Sequence, residues 1–267
     1  MSQAMSHVDL PESLNTLVSA NMKERVAASF SAGAAAYDQM AGVQRQVAER
    51  LAMRIAATLP CPPDRILEIG CGTGLFSTHL AALYPQAELV LTDISPVMLE
   101  RASLRLGARA SYRRMDGEAP DPALGNFDLI ASSLALQWFT DLRGGIARLA
   151  NRLVSGGRLA FATLGAESFA EWRAAHETVG LRHGLHPYPP VERFPWPKHC
   201  AGTVEVETIR DHHANGQAFA RSLKQLGAGQ PAPGHKPLPP AQLRQVLSQF
   251  QAGCTVSYQV VYGMLRG

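Results

Sequence analysis

Residues Arg65 to Gly74 read R-I-L-E-I-G-C-G-T-G: an acid, Glu68, followed by glycines at alternate positions. Glycine lets bare backbone approach a ligand closely, and a helix starting just after such a loop favours a negative group at its N-terminus. A dinucleotide-binding loop needs G-x-G-x-x-G, but its last glycine would fall on Leu75. Gly70, Cys71, Gly72 and Gly74 therefore suit a different nucleotide-like cofactor, with Glu68 orienting the loop or meeting an ammonium group. Asp93 lies about twenty residues further on, where an acid at a strand end meets ribose hydroxyls in nucleotide folds. Its alternative role as a helix N-cap is already filled by Ser95, which stands before Pro96. Ile94 and Met98 could flank an adenine ring or simply pack in the core. In Asp116-Gly117-Glu118 the Asp116 carboxylate can accept from an exocyclic amine, with backbone N–H at Gly117 completing the edge. Alone, Asp-Gly is only a turn signal.

These loops need a scaffold that brings strand ends together. Short apolar runs predict strands over 65–69, 88–92, 110–115, 127–132 and 158–164. They alternate with helices over 75–84, 96–106 and 142–153, and Ser155-Gly156-Gly157 turns into the last strand. That order specifies an α/β fold with a doubly wound, mostly parallel, Rossmann-like sheet. Upstream, Lys23–Ser31 reads as a short helix. Val43, Val47, Leu51, Ile55 and Leu59 recur every four positions, predicting one helix over 37–59 that Pro60 to Pro63 ends. Beyond Leu164 the pattern gives helices over 168–181, 216–226 and 241–250, and strands over 204–210 and 255–265. These read as N-terminal helices and a C-terminal helical cap insertion around an edge hairpin. The expected organisation is a flexible N-terminus over 1–22, a helical lid over 23–62, and a main domain over 63–267 with the cap inserted at about 165–255.

With 267 residues and 46% hydrophobic content, the chain can bury one large core, or a core and a lid. No stretch approaches the roughly 18 apolar residues of a membrane span, and the first residues lack a signal-peptide layout. A cytoplasmic enzyme with no membrane partner is expected. The net charge of +3 comes without a basic run interleaved with aromatics, so no nucleic-acid partner is expected. A mild basic excess suits an acidic protein partner, or reflects a bias towards arginine. Cys61, Cys71, Cys200 and Cys254 form no C-x-x-C pair, and His176, His183, His186, His199, His212 and His213 match no zinc spacing. No metal is expected.

The acid-x-G-x-G-x-G loop resembles motif I of the class I S-adenosylmethionine-dependent methyltransferases. Strand four ends Ser132-Ser133-Leu134-Ala135-Leu136-Gln137-Trp138, with Ser132 a further cofactor candidate. The N/D-P-P-Y/F motif of amino-directed nucleic-acid methyltransferases is absent, whereas L-Q-W resembles enzymes acting on carboxylates and small molecules. Core packing explains Trp138 equally well. Phe30-Ser31 with Ala35-Ala36-Tyr37 and Gln44, the S-x-L-A-L-Q-W run, Arg221-Ser222-Leu223-Lys224 before Leu226-Gly227-Ala228, and the final S-Y-Q-V-V-Y-G are more specific. Over residues 23–265 they resemble the malonyl-acyl-carrier-protein O-methyltransferases of biotin synthesis. The proline-rich 187–197 segment and the 229–240 loop match no pattern of that family.

The resemblance implies methyl transfer from S-adenosylmethionine, leaving S-adenosylhomocysteine, to the free carboxylate of a malonyl thioester on acyl carrier protein or coenzyme A. A carboxylic acid is ionised at neutral pH, titrating near ~4, so no general base is needed. Tyr37, closing over the methyl group, and Gln137 are the implied catalytic residues. Phe30 and Trp138 are implied substrate contacts, and Lys224, Arg221 and Arg143 are candidates for the carboxylate or the phosphopantetheine arm. Two other functions stay open: a small-molecule carboxyl methyltransferase of the trans-aconitate kind, and a non-catalytic S-adenosylmethionine-binding assembly factor.

Overall fold

The computed structural model describes residues 12–198, 200–250 and 253–267, with side chains from Ala20 onward. Five strands lie parallel: β1 (Arg65–Ile69), β2 (Glu88–Asp93), β3 (Ser111–Arg114), β4 (Phe127–Ser133) and β5 (Leu153–Leu164). Two late strands, β6 (Gly202–His213) and β7 (Cys254–Arg266), complete a seven-stranded sheet in the order β3-β2-β1-β4-β5-β7-β6. β7 runs antiparallel between β5 and β6, so the late hairpin extends one edge. The strand order reverses at β1 and β4, and that switch point is where open α/β sheets bind ligands.

Alternation along the strands sorts side chains between two layers. On β1, Ile66 packs with Val47, Leu51 and Leu80, while Leu67 and Ile69 pack on the other side with Ile130, Ile146 and Leu159. Helices α3 (Gly42–Thr58), α4 (Leu75–Leu83) and α5 (Pro96–Leu106) cover the first face, and α6 (Leu142–Ala150) the second. Val43, Val47, Leu51 and Ile55 form the buried stripe of α3, as their spacing requires.

Several boundaries depart from the sequence expectations. Helix α1 spans Glu12–Gly33, so its beginning precedes Lys23 by more than two turns; residues 1–11 of the expected flexible N-terminus lie outside the described residues. The expected helix over 37–59 is broken at Ala41 into α2 (Tyr37–Met40) and α3. Asp38 accounts for the break: its carboxylate takes the Thr73 hydroxyl at 2.6 Å and pairs with Arg105, drawing the first turn towards the glycine loop. Ser155-Gly156-Gly157 does not precede β5 but lies within it, as a bulge where the register against β4 shifts between Phe127 and Leu129. The cap is two insertions rather than one, because β6 belongs to the sheet: α7 (Ala170–Thr178) precedes β6, and α8 (Gly216–Gln225) and α9 (Pro240–Leu247) precede β7. Among the described residues, no helix is long and apolar enough to cross a membrane.

Candidate active site

The loop after β1 is built from backbone. The Gly70 φ is +67°, a conformation that side chains disfavour, and a Cβ there would meet the Ala135 Cβ at 2.3 Å. A Cβ at Gly117 would meet Ile69 at 2.2 Å. The bare backbone at both glycines borders a pocket of about 100 Å³, partly open to solvent. The Asp93 carboxylate organises the loop: one oxygen takes the Gly72 N–H at 2.9 Å and the other the Ser95 N–H at 2.8 Å. Ser95 caps α5 through the Met98 N–H at 3.2 Å. Asp93, Ile94, Met98, Asp116, Gly117, Gly70 and Gly72 all line this pocket.

Glu68 sits behind the loop, 1% exposed, and its Oε2 has no hydrogen-bond partner. Burial, with the Asp93 charge adding, pushes its carboxyl up to about 8. Cys71 is buried beside it, and burial first, then the charges of Asp93 and Glu68, push its thiol well up, which leaves it inert.

Helix α1 closes the far side. Lys23 Nζ lies 2.6 Å from Asp116 Oδ2 and 2.7 Å from Glu118 Oε2. Burial opposes the ammonium, but the bonds to both carboxylates outweigh it and raise its pKa. Glu118, 4% exposed, also takes the Thr140 N–H at 3.0 Å and the Asp141 N–H at 2.6 Å, so it anchors the loop before α6. Phe30 and Tyr37 complete the wall, with rings 6.4 Å apart, and Phe30 meets Trp138 edge-on at 5.6 Å. Burial, with Asp93 and Asp38 adding, pushes the Tyr37 phenol far above its usual range, so it remains a neutral donor.

Leu134 and Trp138 line this pocket and also a second cavity of about 380 Å³ beneath the cap. Leu134 holds a φ of +54°, costly for a branched side chain, at the junction of the two. Gln137 is fixed at both ends there: its Nε2 donates to the Leu134 carbonyl at 2.7 Å, and its Oε1 accepts from Thr163 at 3.5 Å. No Asp, Glu, Lys or Arg lines the second cavity among the described residues. Instead Trp172, Phe169, Tyr188 and Tyr258 surround four histidines, His176, His183, His186 and His235, and the backbone sets the tautomers of the first three. His176 Nδ1 donates to the Trp172 carbonyl at 2.8 Å and His186 Nε2 to the Gln230 carbonyl at 3.0 Å, since a carbonyl only accepts. His183 Nδ1 accepts the Leu185 N–H at 3.0 Å, which places its proton on Nε2. Burial chiefly lowers the pKa of all three, so they are neutral near pH 7. Two buried polar atoms remain unpartnered where the chambers meet: Trp138 Nε1 and Gln44 Oε1.

Comparison with known proteins agrees with this geometry. A methyltransferase-domain family model matches residues 67–159. A malonyl-acyl-carrier-protein O-methyltransferase of Magnetococcus marinus is 41% identical over 91% of this chain and 92% of its own length. The chain belongs to that family. The biotin biosynthesis bifunctional protein BioCD of Bordetella avium is 49% identical over 90% of this chain, which spans about half (52%) of that longer relative. Among solved structures, the YcgJ protein of Bacillus subtilis superposes with a TM-score of 0.58 at 15% identity, covering 82% of this chain and 98% of that one. The plantazolicin methyltransferase BpumL, solved with S-adenosylhomocysteine, gives 0.54 at 16% identity over 95% and 98%. At those identities the likeness is one of fold.

The cofactor of this methyltransferase is S-adenosylmethionine, and the residues fit it. Gly70 and Gly117 pack too closely on Ala135 and Ile69 for a Cβ, so their bare backbone lines the pocket, and the unpartnered Glu68 Oε2 is the acceptor an ammonium group needs. Other nominated residues lie elsewhere. Gly74 is the N-cap of α4 and packs against Leu106 and Ala102 outside the pocket. Ser132 is fully buried and donates to the Ile69 carbonyl at 2.9 Å; its neighbour Ser133 lines the pocket instead. Arg143, Arg221 and Lys224 are exposed and line neither chamber, whereas Leu223 of α8 faces the second cavity. The sequence reading missed Lys23 and Asp38, whose partners are remote in the chain, and the role of the histidines. Among the described residues no three metal-ligating side chains gather to hold a metal, and His199 lies outside those residues.

Proposed function

We propose that this methyltransferase esterifies the free carboxylate of a malonyl thioester carried by acyl carrier protein, in the cytoplasm, as the opening step of biotin synthesis. The observation that carries the reading is the second chamber: it is large, aromatic, free of fixed charge, and joined to the cofactor pocket at Leu134 and Trp138. The names of the relatives, acting on malonyl-acyl-carrier-protein, support the same acceptor.

When bound, S-adenosylmethionine supplies an electrophilic methyl group on a sulfonium. The chain does the rest by placement. Phe30, Tyr37 and Trp138 wall the junction and exclude water, which leaves an ionised carboxylate poorly solvated and therefore more nucleophilic. Trp138 Nε1–H and the protonated Tyr37 hydroxyl offer neutral hydrogen bonds to carboxylate oxygens without neutralising them. Gln137, clamped between Leu134 and Thr163, holds that loop in position. No side chain has to remove a proton, so alignment is the main contribution.

Transfer of a radiolabelled methyl group to malonylated carrier protein, compared with free trans-aconitate, tests the reading. Base-labile label on the carrier protein and little on the polycarboxylate is expected. Preferential labelling of trans-aconitate would favour the small-molecule alternative.

A further inference from the structure

The acyl chamber continues outward. His183, Gly184, His235 and Leu238 line both it and a third, wider cavity at the surface of the cap. Cofactor pocket, acyl chamber and surface cavity therefore share walls in sequence, from the methyl-transfer junction to the surface of the cap. The mouth is a built structure. The Ala232 N–H donates to the Gly184 carbonyl at 2.9 Å, and a Cβ on Gly184 would strike the His235 ring at 2.7 Å. Two segments remote in the chain, around 184 and 232, are thus stapled edge to edge.

The charge pattern changes sharply along the path. The acyl chamber carries no Asp, Glu, Lys or Arg among the described residues, whereas Arg182 and Lys236 stand exposed on the mouth. Neither has an ion-pair partner among the described residues, and no carboxylate lines that cavity. Arg173 is already engaged with Glu167 at 3.8 Å and the Ser168 carbonyl at 2.6 Å, and Arg25 with the Gln230 side chain at 3.1 Å. Glu177 acts on His183 from α7. A chamber without Asp, Glu, Lys or Arg, bordering a surface cavity with two cations that have no ion-pair partner among the described residues, matches a neutral, amide-bearing arm attached through a phosphodiester to an acidic protein.

Resting on the function proposed above, we infer that Arg182 and Lys236 form the docking rim for acyl carrier protein, and that its phosphopantetheine arm reaches the junction through the mouth at Gly184 and His235. The rim lies on the 181–186 and 228–238 segments, not on the outer face of α8 where Arg221 and Lys224 stand.

Steady-state kinetics on two substrates test this: malonylated carrier protein, and a malonyl thioester of N-acetylcysteamine, which lacks the phosphate and the protein. R182E/K236E is expected to lower kcat/KM on the carrier protein by about 30-fold or more, with R182Q/K236Q losing about 10-fold, as removal of steering charges does. The short thioester is expected to stay within about 2-fold in both, and R221E/K224E to change carrier-protein kinetics by less than about 3-fold. Full carrier-protein activity in R182E/K236E, a larger loss in R221E/K224E, or equal losses on both substrates in R182Q/K236Q would overturn the docking site. Wild-type protein inactive on every malonyl thioester would instead overturn the function on which it rests.

Discussion

Two carboxylates, Asp93 and Asp116, line the cofactor chamber and two more, Glu68 and Glu118, are buried beside it, and three of the four are held by backbone N–H groups or by Lys23. In the acyl chamber no Asp, Glu, Lys or Arg lines the wall among the described residues, and His176 and His186 are neutral rings tied to backbone carbonyls. The contrast follows from the ligands. A cationic cofactor with an ammonium, a ribose and an amine needs acceptors of fixed position, which short loops at strand ends supply. An anionic nucleophile reacts faster when nothing cancels its charge, so a neutral, dry chamber serves it better.

Substitutions on either side of the junction should separate these roles. The largest effect is expected at Gly70→Ala, where the new Cβ strikes Ala135 and the backbone is strained by roughly 1–3 kcal/mol. Calorimetric affinity for S-adenosylhomocysteine should fall at least about 100-fold. Trp138→Phe removes the unpartnered indole N–H while keeping the ring packing against Phe30. A loss of about 10–100-fold in kcat, with little change in the cofactor KM, corresponds to one buried hydrogen bond to a charged group. An unchanged kcat would take Trp138 out of carboxylate recognition. Lys23→Met should act the opposite way, raising the cofactor KM about 10-fold with kcat nearly constant, because Lys23 ties α1 to the 116–118 loop on the cofactor pocket.

A further expected effect is one of pH on stability. Glu68 titrates at about 8 in the folded chain and near ~4.3 when unfolded. Between those values the unfolded state sheds this proton and the folded state keeps it. The Glu68 contribution therefore makes the cofactor-free protein less stable as pH rises from about 4 to 8, with no further change above. Glu68→Gln should flatten that part of a Tm-against-pH curve. Stabilisation by S-adenosylmethionine should grow over the same window in the native protein, as its ammonium meets the ionised acid. A Tm shift independent of pH would argue against that contact.

The same division explains what could be read from sequence. The glycine loop, Asp93 and Asp116 were legible because each lies at the end of an apolar strand, and strand periodicity places such ends on one edge. Ser132 and Ser133 show the limit: with period two, a shift of one residue separates a buried hydroxyl from a pocket wall. On α8 the inward residues are Phe219, Leu223 and Leu226, a helical stripe that leaves Arg221 and Lys224 outside. Helical spacing contained that answer, but the motif directed attention to the charges. Lys23 was not legible, since its partner Asp116 is 93 residues away. Nor was the acyl chamber, whose walls come from proline- and histidine-rich segments without periodicity, brought together only by β6 and β7.

The most direct measurement of the central claim, that the chain aligns a ready nucleophile and removes no proton, is kcat on malonylated carrier protein as a function of pH at saturating cofactor. The rate is expected to be nearly flat from about pH 6 to 9, since neutral Tyr37 and the indole of Trp138 do not titrate there. A steep rise with an apparent pKa near ~7, the signature of a catalytic base, would contradict it.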